Sequence, residues 1–129
     1  MLPVYHALDY TPDALHNLFA RVAHLPWAML LSSGFAEHAD NRFDIMVAEP
    51  CATLQTRGAV TQWQQGDTVT ESVTDPLTLL QQALDKLNLP TAQHPDLPFQ
   101  GGALGLFGYD LGRRFEQLPQ TAVADLTTP

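Results

Sequence analysis

Basic residues are scarce. Six Lys and Arg stand against 14 Asp and Glu in 129 residues, leaving a net charge of −8. A nucleic-acid binder displaces counterions from phosphates with a basic face, and an anionic membrane surface is gripped by a basic segment. Six scattered cations form neither, so no nucleic-acid or membrane partner is expected. Cysteine is nearly absent too. Cys51 stands alone, which excludes an internal disulfide and a CxxC pair. A reducing cytoplasm is the simplest home for such a chain. No apolar run approaches the ~18 residues of a membrane span. Met1 is not followed by the basic and apolar regions of a signal peptide.

The signatures of catalysis are missing as well. The chain has no GxGxxG, no GxxxxGK[ST], no HExxH and no GxSxG. His6, His16, His24, His38 and His94 form no HxH pair, so no metal site is expected. His16 and His24 lie eight residues apart on one predicted helix, too far to share an ion, and read as solvated. Glu37, Asp40 and Asp44 are close in sequence but fall in a loop and at a strand start. Cys51 reads as a small core residue opening a strand. No nucleophile, base and orienting group come together, so no catalytic residue is expected.

What remains is a chain with enough apolar residues, 45%, to build a core, and only 16% charged residues. Residues 4–8 read as a short strand. Thr11, Pro12 and Asp13 form a helix start, and Leu15, Leu18, Phe19, Val22 and Leu25 then recur at helical spacing up to about His24. Residues 27–33 read as a buried strand and 34–41 as a loop. Over 42–48, Phe43, Ile45 and Val47 alternate with Arg42, Asp44 and Met46, a strand pattern ended by Glu49-Pro50. A strand over 51–57, a turn at Gly58 and a strand over 59–64 make a hairpin. Gln65-Gly66-Asp67 turns into a further strand, 68–73. Asp75 caps a second helix that Pro76 opens, with Leu77, Leu80, Leu84 and Leu87 along one face. Residues 88–100 hold three prolines and read as an extended linker. A glycine-rich strand begins at Gly101, and a short helix follows over Asp110 to Phe115, whose Arg113 and Arg114 can reach another element or a partner. The order predicts an α+β fold, a largely antiparallel sheet with two main helices.

Two stretches resemble a known family. One runs His24-Leu25-Pro26-Trp27-Ala28-Met29-Leu30-Leu31-Ser32-Ser33-Gly34, followed by Arg42-Phe43-Asp44-Ile45 and Ala48-Glu49-Pro50. The other runs from Asp96-Leu97-Pro98-Phe99-Gln100 through Gly101-Gly102-Ala103-Leu104-Gly105-Leu106-Phe107-Gly108-Tyr109-Asp110 to Leu111-Gly112-Arg113-Arg114-Phe115-Glu116. Together they resemble the N-terminal region of the aminodeoxychorismate synthase component I family, from about residue 20 onward. Anthranilate synthase component I shares a weaker version.

The resemblance implies that residues 1–129 are a single N-terminal, non-catalytic domain of a longer chorismate-using enzyme, part of a layered sandwich. The implied C-terminal part, absent here, binds chorismate and Mg²⁺ and makes 4-amino-4-deoxychorismate for p-aminobenzoate and folate. A glutamine amidotransferase subunit supplies the ammonia. The N-terminal domain of this family carries a tryptophan pocket, which the motif places at Ser33, Asp40, Asn41, Arg42 and Phe43. Ser33 can accept from an ammonium group and Phe43 can face an indole. Feedback-regulated relatives usually carry Leu-Leu-Glu-Ser, where Ser32 replaces the Glu here, and often an aromatic where Asp40 stands. The alternatives are the regulatory domain of an anthranilate synthase, or a free-standing ligand-binding domain. Cut from its catalytic part, the domain is expected to expose apolar surface around Leu104, Phe107 and Tyr109 and to self-associate.

Overall fold

Leu15, Phe19 and Val22 repeat at helical spacing, and in the computed structural model they lie half-buried on helix α1, Ala14–Val22. The structure describes residues 4–9, 11, 13–34, 41–89, 94–119 and 121. They fall into two compact units, one within Met1–Ala52 and Pro90–Gln100, the other within Thr53–Leu89 and Gly101–Pro129.

In the first unit the start of α1 differs from expectation. Asp13 is the N-cap but makes no side-chain cap bond. Thr11 contributes its carbonyl, which accepts from the Ala14 N–H at 2.9 Å, and not a capping hydroxyl. Pro12 lies outside the described residues. The strand expected over 4–8 does not form, because no strand among the described residues offers it backbone partners. That segment is held instead by Tyr5. Its hydroxyl donates to Gln100 Oε1 at 2.8 Å, and its ring lies 5.2 Å from that of His94. Gln100 also accepts from the His94 N–H at 3.0 Å and donates to the His94 and Leu97 carbonyls at 2.7 and 2.9 Å. The proline-rich stretch therefore closes on itself over 94–100.

Strands β1, Met29–Leu31, and β2, Ile45–Val47, pair antiparallel with Met29 opposite Val47 and Leu31 opposite Ile45. Both are shorter than the seven-residue patterns suggest, for reasons visible at each end. Trp27 and Glu49 adopt positive φ, +58° and +50°, and the Glu49 N–H donates to the Pro26 carbonyl at 2.9 Å. At the other end the Ser33 N–H turns to the Asp44 carboxylate.

The second unit is a meander of β3, Thr53–Arg57, β4, Val60–Gln65, and β5, Thr68–Ser72. Gly58 and Gly66, both at φ +57°, make the two tight turns, a conformation glycine adopts without the strain a Cβ brings. The register sets Leu54 across from Trp63 and Thr56 across from Thr61 on one face, with Val60, Gln62 and Gln64 on the other. Helix α2, Pro76–Leu87, packs against β3, and its Lys86 ammonium sits 4.6 Å from the Trp63 ring centre. Asp75 caps it as expected, accepting from the Thr78 N–H at 2.9 Å. Asn88 ends it in the left-handed conformation. The inward stripe is Leu79, Leu80, Ala83, Leu84 and Leu87, with Leu79 and Ala83 buried. Leu77, expected on that face, is exposed, because Leu79 and Ala83 set the direction of packing.

Two further expectations are corrected. Cys51 is exposed in a bend before β3 and is no core residue. The glycine-rich stretch from Gly101 is not a strand, since no partner strand lies beside it among the described residues. The short helix after it is a 3-10 helix, Tyr109–Arg114. Its arginines fix it: Arg113 pairs with Asp110 at 2.9 Å and donates to the Leu118 and Pro119 carbonyls, and Arg114 donates to the Gly58 carbonyl at 2.8 Å. The architecture is α+β with two antiparallel sheets, as the element order predicts. Among the described residues no helix is long and apolar enough to cross a membrane.

Candidate functional site

The site is built where β1 ends and β2 begins. Antiparallel pairing of Leu31 with Ile45 carries Ser33 beside the residues just before β2. There the Asp44 carboxylate accepts from the Ser33 N–H at 2.9 Å, a charge-assisted bond that fixes the serine backbone. Gly34 follows at φ +75°, and its N–H donates to Ser32 Oγ at 3.3 Å. The chain thus turns away at Ser33 and leaves its half-buried side chain at the ribbon end.

Arg42 and Phe43 stand next to this bond. The Arg42 guanidinium lies over the Phe43 ring at 5.2 Å from its centre, a cation–π contact that holds both side chains together. They form one wall of an open hollow of about 590 Å³, whose other walls include Leu8, Leu15, Leu18 and Arg21. The floor is apolar and the lining carries two guanidinium groups and the carboxylates of Asp9 and Asp44. Such a lining suits a small ligand with an apolar body and charged ends. Among the described residues of this lining, no nucleophile and base stand at hydrogen-bond distance.

Of the predicted pocket residues, the structure brings Ser33, Arg42 and Phe43 to one end of the ribbon, with half-buried Asn41 just before them. Asp40 lies outside the described residues, as do Glu37 and His38. Asp44, placed by the sequence only at a strand start, is exposed and accepts the Ser33 N–H, a bond that sequence reasoning missed. Its signal was positional: it sits one residue before a strand whose partner ends two residues before the serine. The helix wall, Leu15 and Leu18, was visible only as a core stripe. Elsewhere, His6, His16 and His24 are exposed, and His94 Nδ1 accepts from the Asp96 N–H at 3.3 Å. Among the described residues no three His, Cys, Asp or Glu side chains gather as a metal site would require.

No protein-family model matches the chain. Curated relatives do. The chain is 58% identical to aminodeoxychorismate synthase component 1 of Klebsiella aerogenes and 52% identical to that of Escherichia coli, each over 98% of its own length. It is 35% identical over 92% of its length to anthranilate synthase component 1 of Mycobacterium bovis. The likeness to the aminodeoxychorismate proteins therefore extends into the first 19 residues, where the motifs alone gave only a pattern. The chain spans 28% of the length of the Klebsiella and Escherichia relatives. By sequence it belongs to the aminodeoxychorismate synthase component 1 family and corresponds to the N-terminal region of that family's proteins.

Proposed function

We propose that this chain is the non-catalytic N-terminal part of a chorismate aminase, the component that converts chorismate to 4-amino-4-deoxychorismate on the way to p-aminobenzoate and folate. The observation that carries this is identity of 52–58% over nearly the whole chain with proteins of that name. The chemistry, with its Mg²⁺, belongs to the larger C-terminal part, and a glutamine amidotransferase subunit delivers ammonia to it in the cytoplasm.

The role of this chain is to scaffold that part and to hold a tryptophan. Ser33 would accept from the ligand's ammonium group, Arg42 would face its carboxylate, and Phe43 would meet the indole, with Asp40 and Asn41 closing the rim. Support comes from the bond of the Ser33 N–H to Asp44, which holds the serine backbone at the ribbon end, and from the contact that holds the Arg42 and Phe43 side chains together.

Chorismate turnover with Mg²⁺ and ammonium tests the first reading, run on the 129-residue chain and on its longer reading frame. Only the longer chain is expected to form 4-amino-4-deoxychorismate. Anthranilate as product would move the chain to the anthranilate synthases, and turnover by the short chain would place catalysis within it. Calorimetric titration of the longer chain with tryptophan tests the second. Ser33→Ala removes one hydrogen bond worth about 1 kcal/mol, so Kd should rise roughly fivefold. An unchanged Kd would take Ser33 out of the pocket.

A further inference from the structure

Residues 4–9 are exposed throughout, and among the described residues none of them enters a backbone–backbone hydrogen bond. A stretch of that kind frays unless something ties it down. Yet Leu8 and Asp9 belong to the lining of the hollow, together with Arg42 and Phe43. Their place has to come from a side chain, and Tyr5 supplies it: its hydroxyl bonds Gln100 and its ring lies against that of His94.

The receiving end is set by the loop 94–100 and not by the tyrosine. Gln100 Nε2 donates to the His94 and Leu97 carbonyls at 2.7 and 2.9 Å, which leaves Oε1 to accept from the His94 N–H at 3.0 Å and from Tyr5 at 2.8 Å. Both hydrogens and both lone pairs of the carboxamide are then in use. A reversed amide would set its NH₂ group against the His94 N–H, so the loop itself dictates that an acceptor is offered to Tyr5. His94 is held as well, since its Nδ1 accepts from the Asp96 N–H at 3.3 Å and its carbonyl from the Leu97 N–H at 3.4 Å. The result is a preformed socket for one aromatic ring and one hydroxyl.

Reach links this socket to the hollow. Leu8 follows Tyr5 by three residues, at most about 10 Å of extended chain, and α1 begins five residues beyond Asp9. Held at both sides, Leu8 and Asp9 have little room to move; released at Tyr5, they are held from one side only. We propose that Tyr5 is a positioning residue for the hollow. Seated in the socket, it straps residues 4–9 in place, so that Leu8 and Asp9 present an apolar side chain and a carboxylate to a ligand with an apolar body and an ammonium group. This rests on the reading of the hollow as a tryptophan pocket. Because seating and binding share one wall, each strengthens the other.

Two measurements on the longer reading frame test this, and Tyr5 is 43% exposed, so changing it opens no core. The first needs no ligand. Chymotrypsin cuts after residue 5 only when that side chain leaves the socket for the protease's own pocket, so cleavage follows the released population. Tyr5→Phe keeps the cleavage site and removes the hydroxyl bond, and the cut should come roughly fivefold faster. Equal rates in the two chains overturn the inference. The second is calorimetric titration with tryptophan. Tyr5→Ala, which gives up the ring contact too, should raise Kd roughly fivefold as the seated fraction falls. In a chain already carrying Leu8→Ala and Asp9→Asn the same change should have almost no effect, because the wall it seats is gone. An equal loss in both backgrounds would make Tyr5 merely structural and sinks the proposal, as does a Kd that Tyr5→Ala leaves unmoved. Binding that needs Ser33 and ignores Tyr5 removes this inference alone. A parent chain that binds no tryptophan removes the tryptophan reading and this inference with it.

Discussion

Thr61 is fully buried, and its hydroxyl lies 2.9 Å from that of Thr56 across the β3–β4 pair. Neither group can be changed without consequence for the other. Thr61→Val keeps the shape but leaves the Thr56 hydroxyl without this partner, at a cost of about 1–2 kcal/mol. The double change, Thr56→Val with Thr61→Val, removes both polar groups and should recover most of that loss. Urea unfolding of the four species reads the coupling as a double-mutant cycle, and additive costs would show that the two hydroxyls act independently. This pair was half legible in the sequence. The sequence placed both residues in one hairpin, strands 51–57 and 59–64 about the Gly58 turn. That Thr56 would be the partner depends on register, which the Gly58 turn fixes and which composition does not reveal. Asp44 fell to the same limit. Its role exists only because Ser33, two residues past the end of β1, lies across from it, so the residue by itself gave no sign of its bond.

At the level of elements, what was legible is what is local. The second helix was read correctly at its start because Asp75, Pro76 and Thr78 settle the cap within four residues. The two-residue turns were read correctly because Gly58 and Gly66 supply the positive φ they require. The strands expected at 4–8 and from Gly101 failed for the opposite reason: a strand needs a neighbour, and neither stretch has one among the described residues. The two helix starts show how far a pattern reaches. Both carry Asp at the N-cap, but only Asp75 bonds a free amide, while Asp13 makes no side-chain cap bond. Asp75→Ala should therefore destabilise the chain by about 1 kcal/mol. Asp13→Ala should cost only a few tenths, the residue of a charge near the helix dipole. Urea midpoints of the two variants decide the matter, and equal losses would mean that α1 is capped in solution by a bond the structure does not contain.

At the scale of the whole molecule, charge and apolar exposure pull in opposite directions. Copies of the 129-residue chain repel through a net charge of −8 each. They attract through Leu106, Phe107, Tyr109 and Phe115, all more than half exposed. The repulsion is long-ranged and screened by salt, with a Debye length of about 30 Å at 0.01 M and about 8 Å at 0.15 M ionic strength. The apolar attraction is short-ranged and is not weakened by simple salts. Association of the isolated chain should therefore strengthen as salt is added, the reverse of an interface built on ion pairs. Sedimentation velocity across a concentration series, at about 0.01 M and about 0.15 M NaCl, reads this directly. The weight-average sedimentation coefficient should climb with protein concentration, more steeply in the higher salt. Phe107→Ser combined with Tyr109→Ser should flatten that climb while leaving the far-ultraviolet circular dichroism unchanged, because both side chains already face water. Association that weakens with salt would assign the contact to charged groups instead. A coefficient independent of concentration in both buffers would mean that this surface, however apolar, does not bind itself.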